Sequence, residues 1–129
     1  MSAPVTGLYA ALLALLLLAL ASRIVVLRWR TKTGIGDGGD RGLARAIRVH
    51  GNAIEYVPIA LVLLLIAELG SANSALLHGC GIGLVVARIL HAAGLSRTSG
   101  ASLERVAGTA TTFTVIAVLA AVDLAAFLR

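Results

Sequence analysis

Four long apolar runs, separated by short polar segments, set the plan of this chain. They cover about residues 5–27, 46–69, 74–93 and 106–128. Each is about 20 residues long, which as a helix rising ~1.5 Å per residue crosses the ~30 Å of a bilayer's hydrocarbon. The runs are built of leucine and alanine rather than alternating β-branched residues, a pattern that favours helices over a β-barrel. In hydrocarbon each backbone N–H and C=O must be satisfied within its own segment, which again selects helices. The pattern therefore predicts an all-α membrane protein, a four-transmembrane-helix bundle forming a single domain over residues 1–129. The first run, VTGLYAALLALLLLALASRIVVL, is too long for a secretory leader. It also lacks a basic start and has no small-residue cleavage pattern before a soluble domain, so it is read as a span.

Composition strengthens this picture. Of the 129 residues, 59% are hydrophobic and only 13% charged, and the mean hydropathy is +0.97. A soluble domain of this size could not hide so much apolar surface, so lipid is the expected solvent. A net charge of +5 raises nucleic acid as a partner, but aromatic residues make up only 4% and the basic residues flank the apolar runs. That placement points to membrane topology and anionic headgroups instead. The lone cysteine, Cys80, excludes an intrachain disulfide and is read as a small buried side chain at a helix contact.

Between the first two runs lies RWRTKTGIGDGGDRGLAR, whose glycines and aspartates break helices. Gly34 to Gly39 are glycine-rich, but no strand precedes them and no GK[ST] follows, so a flexible turn is expected rather than a phosphate loop. SANS, Ser71 to Ser74, reads as a tight turn, and GLSRTSGASLER joins the third and fourth runs. Arg28, Arg30, Lys32, Arg41, Arg45 and Arg48 cluster around the first loop, Arg97 and Arg105 flank the third, and the middle turn has no lysine or arginine. The positive-inside rule then places the first and third loops in the cytoplasm and both termini outside.

The second run departs from simple apolarity. Its opening, AIRVHGNAIEYVPIA, carries Arg48, His50, Asn52, Glu55, Tyr56 and Pro58. At about 100° per residue, Asn52 lies about 40° from Arg48, Glu55 about −20° and Tyr56 about 80°, so the four share one ~100° arc. Ionisable groups at membrane depth normally face a bundle interior or a watery cavity. A guanidinium, an amide, a carboxylate and a phenol on one face suit a small zwitterionic ligand, with arginine taking a carboxylate and glutamate an ammonium. The same residues also admit a purely structural reading, with Arg48 paired to Glu55 and Asn52 joining helices. Pro58 is expected to kink the helix beside the cluster. His50, about 200° from Arg48, points toward a different neighbour.

The third run adds Arg88 and His91, three residues apart and so on one face, near the same cytoplasmic surface. His78, at the other end, has no evident partner and reads as interfacial. Gly79 and Gly83 form a small-xxx-small pair, the usual mark of close helix packing. The three histidines are dispersed over two helices and supply no metal set, and no Ser-His-Asp arrangement is legible.

The sequence Arg48-x-His50-x-Asn52-x-x-Glu55-x-x-Pro58, opening the second of four spans, resembles the MAPEG family. These are the membrane-associated proteins in eicosanoid and glutathione metabolism, which include microsomal glutathione transferases, leukotriene-C synthase and the non-enzymatic lipoxygenase-activating protein. ARILH, Ala87 to His91, supports the likeness, and the GDGG…AIRVHGNAIEYVPIA wording is similar to a small bacterial inner-membrane branch. The resemblance implies a homotrimer of four-helix subunits holding glutathione between neighbours near the cytoplasmic face, with no metal. By resemblance Arg48, Asn52, Glu55 and Tyr56 bind glutathione, His50 occupies a position that is histidine or glutamine in the enzymes, and Arg28 serves as the arginine ending the first helix. Arg88 and His91 complete the expected binding set. The thiol-activating arginine at the start of the fourth helix corresponds to Arg105, with Arg97 as the alternative. Chemically, a guanidinium beside a thiol of pKa about 8.5 favours the thiolate.

One departure is visible: where the best-known enzymes carry tyrosines on the third helix, this chain has His91 and Leu95. The expected function is therefore a glutathione-dependent transferase or peroxidase acting on lipophilic electrophiles drawn from the bilayer, a detoxification chemistry. The alternative is a non-enzymatic lipid- or glutathione-binding membrane protein.

Overall fold

A computed structural model describes residues 2–97 and 102–128. Four helices follow one another: α1 (Pro4–Thr31), α2 (Arg41–Leu69), α3 (Ser74–Arg97) and α4 (Leu103–Phe127). All four are long and apolar enough to cross a membrane, and together they form the all-α transmembrane bundle that the apolar pattern predicts. The segment linking α3 to α4 lies largely outside the described residues.

The helices run past the apolar stretches: α1 ends at Thr31, α2 begins at Arg41, α3 ends at Arg97 and α4 begins at Leu103. Hydropathy marks the part of a helix that lipid dehydrates, whereas caps mark where the helix stops. Asp40 Oδ1 accepts the Leu43 N–H at 2.7 Å to start α2, and Ser102 Oγ accepts the Arg105 N–H at 3.4 Å to start α4. At the end of α1, Lys32 takes a left-handed conformation and returns its N–H to the Arg28 carbonyl. The loop that follows is organised by Arg28, whose Nη1 donates to the carbonyls of Thr33, Gly34 and Gly36. Gly36, Gly38 and Gly39 all have positive φ, the conformation that only glycine adopts without strain. A turn tied to the end of α1 thus replaces the flexible one expected from composition. α2 continues through Pro58 as one helix.

α2 and α3 form the middle of the bundle. α1 packs on both from one side and α4 on both from the other, and α1 and α4 share no contact among the described residues. The buried stripe of α2 (Leu43, Ala46, Val49, Ala53, Val57, Ala60, Leu64, Ala67) steps by three and four residues, as a helix seated between partners requires. The main apolar core fills the half nearer the α2–α3 turn, from Tyr9 and Leu13 through Leu64 and Leu84 to Leu119. At the opposite, loop end the apolar core shrinks to Val49, Ala92 and Leu95. Polar groups fill the interior in between.

At the turn end, α1 and α2 are locked by a carboxylate. Glu68 accepts the Val5 N–H on one oxygen at 2.9 Å and the Thr6 N–H on the other at 2.7 Å. These first-turn donors have no partner within α1, and in lipid they must find one. His78 does have a partner: its Nδ1 lies 2.8 Å from the Tyr9 hydroxyl, and the rings meet edge-on. The expectation that His78 lacks a partner is corrected accordingly, because the partner comes from another helix, 69 residues earlier. The close approach predicted at Gly79 and Gly83 is also displaced. A Cβ on Gly79 would meet nothing, one on Gly83 would make ordinary contact with Val115, and it is Gly81 that carries the Tyr9 ring against its backbone.

Candidate functional site

The loop end of the bundle interior is built around Arg88. Its guanidinium is 1% exposed. Nη2 donates to Asn52 Oδ1 at 2.7 Å, and Nη1 reaches Thr112 Oγ1 at 3.5 Å. The Thr112 hydroxyl in turn donates to the Gly108 carbonyl at 2.7 Å. One arginine on α3 thus ties α2 to α4 through a polar layer where a purely apolar bundle would place leucine. The Arg88 Nε and the Nδ1 of His91, one turn further along α3, are buried without a hydrogen-bond partner among the described residues. His91 itself is 4% exposed and feels the positive charges of Arg88, Arg105 and Arg48.

Beside this layer a cavity of about 410 Å³ opens along α4, lined by His91, Arg105, Val106, Thr109, Ala110 and Phe113. Two small residues make it possible. Gly94 leaves room on α3 for Ser102 and for the aliphatic stem of Arg105. Gly108 brings α4 so close to α3 that a Cβ there would stand 2.6 Å from the Ala87 carbonyl oxygen and 2.9 Å from His91 Cβ. Gly108→Ala should therefore force the helices apart at the site, lowering stability by about 1–3 kcal/mol and loosening His91. Thermal unfolding in mild detergent measures the first effect, and a histidine ring NMR signal the second.

The predicted residues divide into two groups. Asn52, Arg88, His91 and Arg105 converge on the polar layer and its cavity. Tyr56 joins them at the rim, its ring set edge-on to Phe113 with centroids 5.3 Å apart. Arg48 and Glu55 pair with each other at 3.3 Å on the outside of the subunit, their side chains 65% and 46% exposed. The arc drawn for α2 therefore splits: Asn52 turns inward to Arg88, which is the helix-joining role considered for it, and the ion pair stays on the surface. His50 is half-buried and has no polar partner among the described residues. Arg28 stands apart from the cluster, occupied with the loop carbonyls. Of the α1 arginines it is Arg23 that reaches α3, donating to Ser96 Oγ at 2.8 Å. Arg97 faces outward and pairs with Glu104 at 3.8 Å, so Arg105 is the candidate that lines the cavity.

Thr112, Gly94 and Gly108 were not singled out from the sequence. The i, i+4 spacing of Gly108 and Thr112 on one helix is the signal that could have found two of them. Among the described residues no group of histidine, cysteine, aspartate or glutamate could hold a metal ion.

The sequence profile of the MAPEG family matches residues 6–125. The chain belongs to the MAPEG family. Two curated relatives are similar over a shorter stretch. Inner membrane protein YecN of Escherichia coli strain K12 is 47% identical over 87 residues, which is 67% of this chain and 66% of the relative. The YecN protein of Escherichia coli O6:H1 strain CFT073 matches with the same identity and coverage. The chain thus aligns with just under two thirds of each relative's length. The MAPEG family includes glutathione transferases, and in this MAPEG bundle the cationic, partly unsatisfied cluster occupies the loop end.

Proposed function

We propose that this MAPEG protein is a glutathione-dependent transferase or peroxidase of the inner membrane that acts on lipophilic electrophiles. The observation that carries the reading is the juxtaposition of the buried Arg88–Asn52 layer with an Arg105- and His91-lined cavity walled by Val106, Ala110 and Phe113. One side of that cavity offers the Arg105 guanidinium to an anionic tripeptide, and the other offers apolar surface to a molecule arriving from lipid. Arg48, Asn52, Glu55, Tyr56 and Arg88 hold the peptide part of glutathione, and Arg105 holds the sulfur as a thiolate. The thiolate attacks an electrophilic carbon and displaces its leaving group. With a hydroperoxide it attacks the terminal oxygen, breaking the O–O bond to give glutathione sulfenic acid and, after one proton is taken up, the alcohol. A second glutathione thiol then displaces water from the sulfenic sulfur to form the disulfide. Positioning two substrates and keeping the sulfur ionised is most of the catalysis required.

The exposed Arg48–Glu55 pair supports a homotrimer with a shared site. Glu55 lies 14 residues, roughly 21 Å along the helix, from the end of α2 at Leu69, well inside a ~30 Å slab. An ion pair facing lipid at that depth is costly, and a neighbouring subunit would cover it. The loop end faces the cytoplasm in this reading, where glutathione is available. Native mass spectrometry in mild detergent should show three subunits, and a monomer that still binds glutathione would remove the shared site.

Mixing the protein with glutathione while following ultraviolet thiolate absorbance tests the function. A rise at neutral pH, together with conjugation of an activated aryl halide, is the expected result. Binding without thiolate would favour the second reading, a non-enzymatic lipid- or glutathione-binding protein. What favours that reading is the internal pairing of Arg48 with Glu55 and Arg88 with Asn52, which leaves fewer cationic donors free for a ligand.

A further inference from the structure

A second cavity, of about 560 Å³, lies at the turn end, between the C-terminal ends of α2 and α4 and against the α2–α3 turn. Its walls are mostly apolar, including Ala67, Leu76, Val122 and Phe127. Ser71 and Asn73 add neutral polar groups, and Asp123 is the one acidic side chain that lines it among the described residues. Both carboxylate oxygens of Asp123 are buried and have no hydrogen-bond partner among the described residues. The position conflicts with ordinary helix physics twice. An unpartnered carboxylate is expensive to keep out of water, and an acidic residue near the C-terminal end of a helix faces the negative end of the helix dipole. α2 also ends at this cavity, at Leu69. The first-turn N–H groups of Ala75 and Leu76 in α3 do not serve Asp123 as donors, because both are given to Asn73 Oδ1.

The geometry points to a binding site for an organic ammonium cation at this end of the bundle, with Asp123 as the counter-ion and the apolar walls holding the body of the ligand. The volume is that of a small-molecule site, ~300–1,000 Å³. A hard metal ion does not fit, since it needs about six oxygen ligands and this lining is chiefly apolar. No lysine or arginine lines the cavity among the described residues. Asp123 is 18 residues along α4 from Arg105, roughly 27 Å, so the site is separate from the loop-end cluster and does not rest on the glutathione reading. The ammonium could be carried by an ethanolamine phospholipid or by a free lipophilic amine.

Benzylammonium and its neutral counterpart benzyl alcohol, titrated into the detergent-solubilised protein by calorimetry, separate charge recognition from simple apolar binding. Wild type should prefer the ammonium by at least about tenfold, as a buried charge pair implies. Asp123→Asn and Asp123→Leu should abolish the preference, and Asp123→Glu should retain it. Asp123→Leu suits its apolar surroundings, and an unchanged size-exclusion profile verifies that it is folded. Equal binding of amine and alcohol to wild type, or a preference that survives in Asp123→Leu, would overturn the site. Native mass spectrometry from nanodiscs of mixed phosphatidylethanolamine and phosphatidylglycerol identifies the source. Phosphatidylethanolamine retained by wild type and lost in Asp123→Leu assigns the site to lipid, whereas a benzylammonium preference without retained phosphatidylethanolamine assigns it to free amines.

Discussion

Asn52→Leu should destabilise the bundle by about 1.5–3 kcal/mol, the range for losing a hydrogen bond to a charged group and leaving that group buried. Arg88→Met should cost far less. The asymmetry follows from which partner is left behind. Without Asn52, the 1%-exposed guanidinium of Arg88 keeps only the long contact to Thr112 at 3.5 Å. Without Arg88 no charge remains, methionine fills the space, and Thr112 keeps its 2.7 Å bond to the Gly108 carbonyl. Replacing a buried charge by a well-packed apolar side chain is often neutral or stabilising. Thermal unfolding of both variants in the same detergent checks the ordering. If Arg88→Met is the more damaging of the two, Arg88 is a structural strut. If it folds well but loses glutathione, the arginine is there for the ligand.

Arg105→Ala should lower glutathione turnover by about 10²–10³-fold, the effect of deleting one preorganised stabiliser of a developing or resident negative charge. Affinity for glutathione at low pH should stay largely intact, because there the sulfur is a neutral thiol in either protein. The sign of the pH effect follows from the same charge. A guanidinium beside sulfur holds the thiol below its ordinary pKa of about 8.5, so its removal should shift the activity profile to alkaline pH, with activity recovering as solution hydroxide ionises the thiol. Arg48→Ala should act differently, raising KM more than it lowers kcat, since a group that binds the peptide equally in ground and transition states contributes uniform binding. An unchanged thiol pKa in Arg105→Ala would move the activating role to His91, which lines the same cavity.

Much of the site was legible because helical periodicity is rigid over short distances. Arg88 and His91 share a face of α3 by spacing alone, and the structure has Asn52 accepting a hydrogen bond from Arg88. Angle alone does not decide burial along the α2 arc. Arg48 and Glu55 lie only about 20° apart, and Asn52 is about 40° away on the same face, yet the pair is exposed and Asn52 turns inward. That boundary depends on where α3 sits, which no single-helix calculation contains. The setting of Arg28 is likewise not legible from one helix. The loop after α1 folds back and presents three carbonyls to it, and a loop's path is set by the helices that it joins.

The sequence by itself determined that this chain is four membrane helices, where their apolar segments lie, and that one end of the bundle carries the cations. These follow from the solvation of single residues and from the fixed pitch of a helix, both of which are local. The tertiary structure alone decided which polar groups meet. Glu68 caps α1 from 62 and 63 residues away, Tyr9 finds His78, and Arg88 is held from α2 and α4 at once. Such pairings arise because lipid offers buried polar groups no water, so each must find its partner on whichever helix happens to be adjacent, and adjacency is a property of the packed bundle rather than of any stretch of chain.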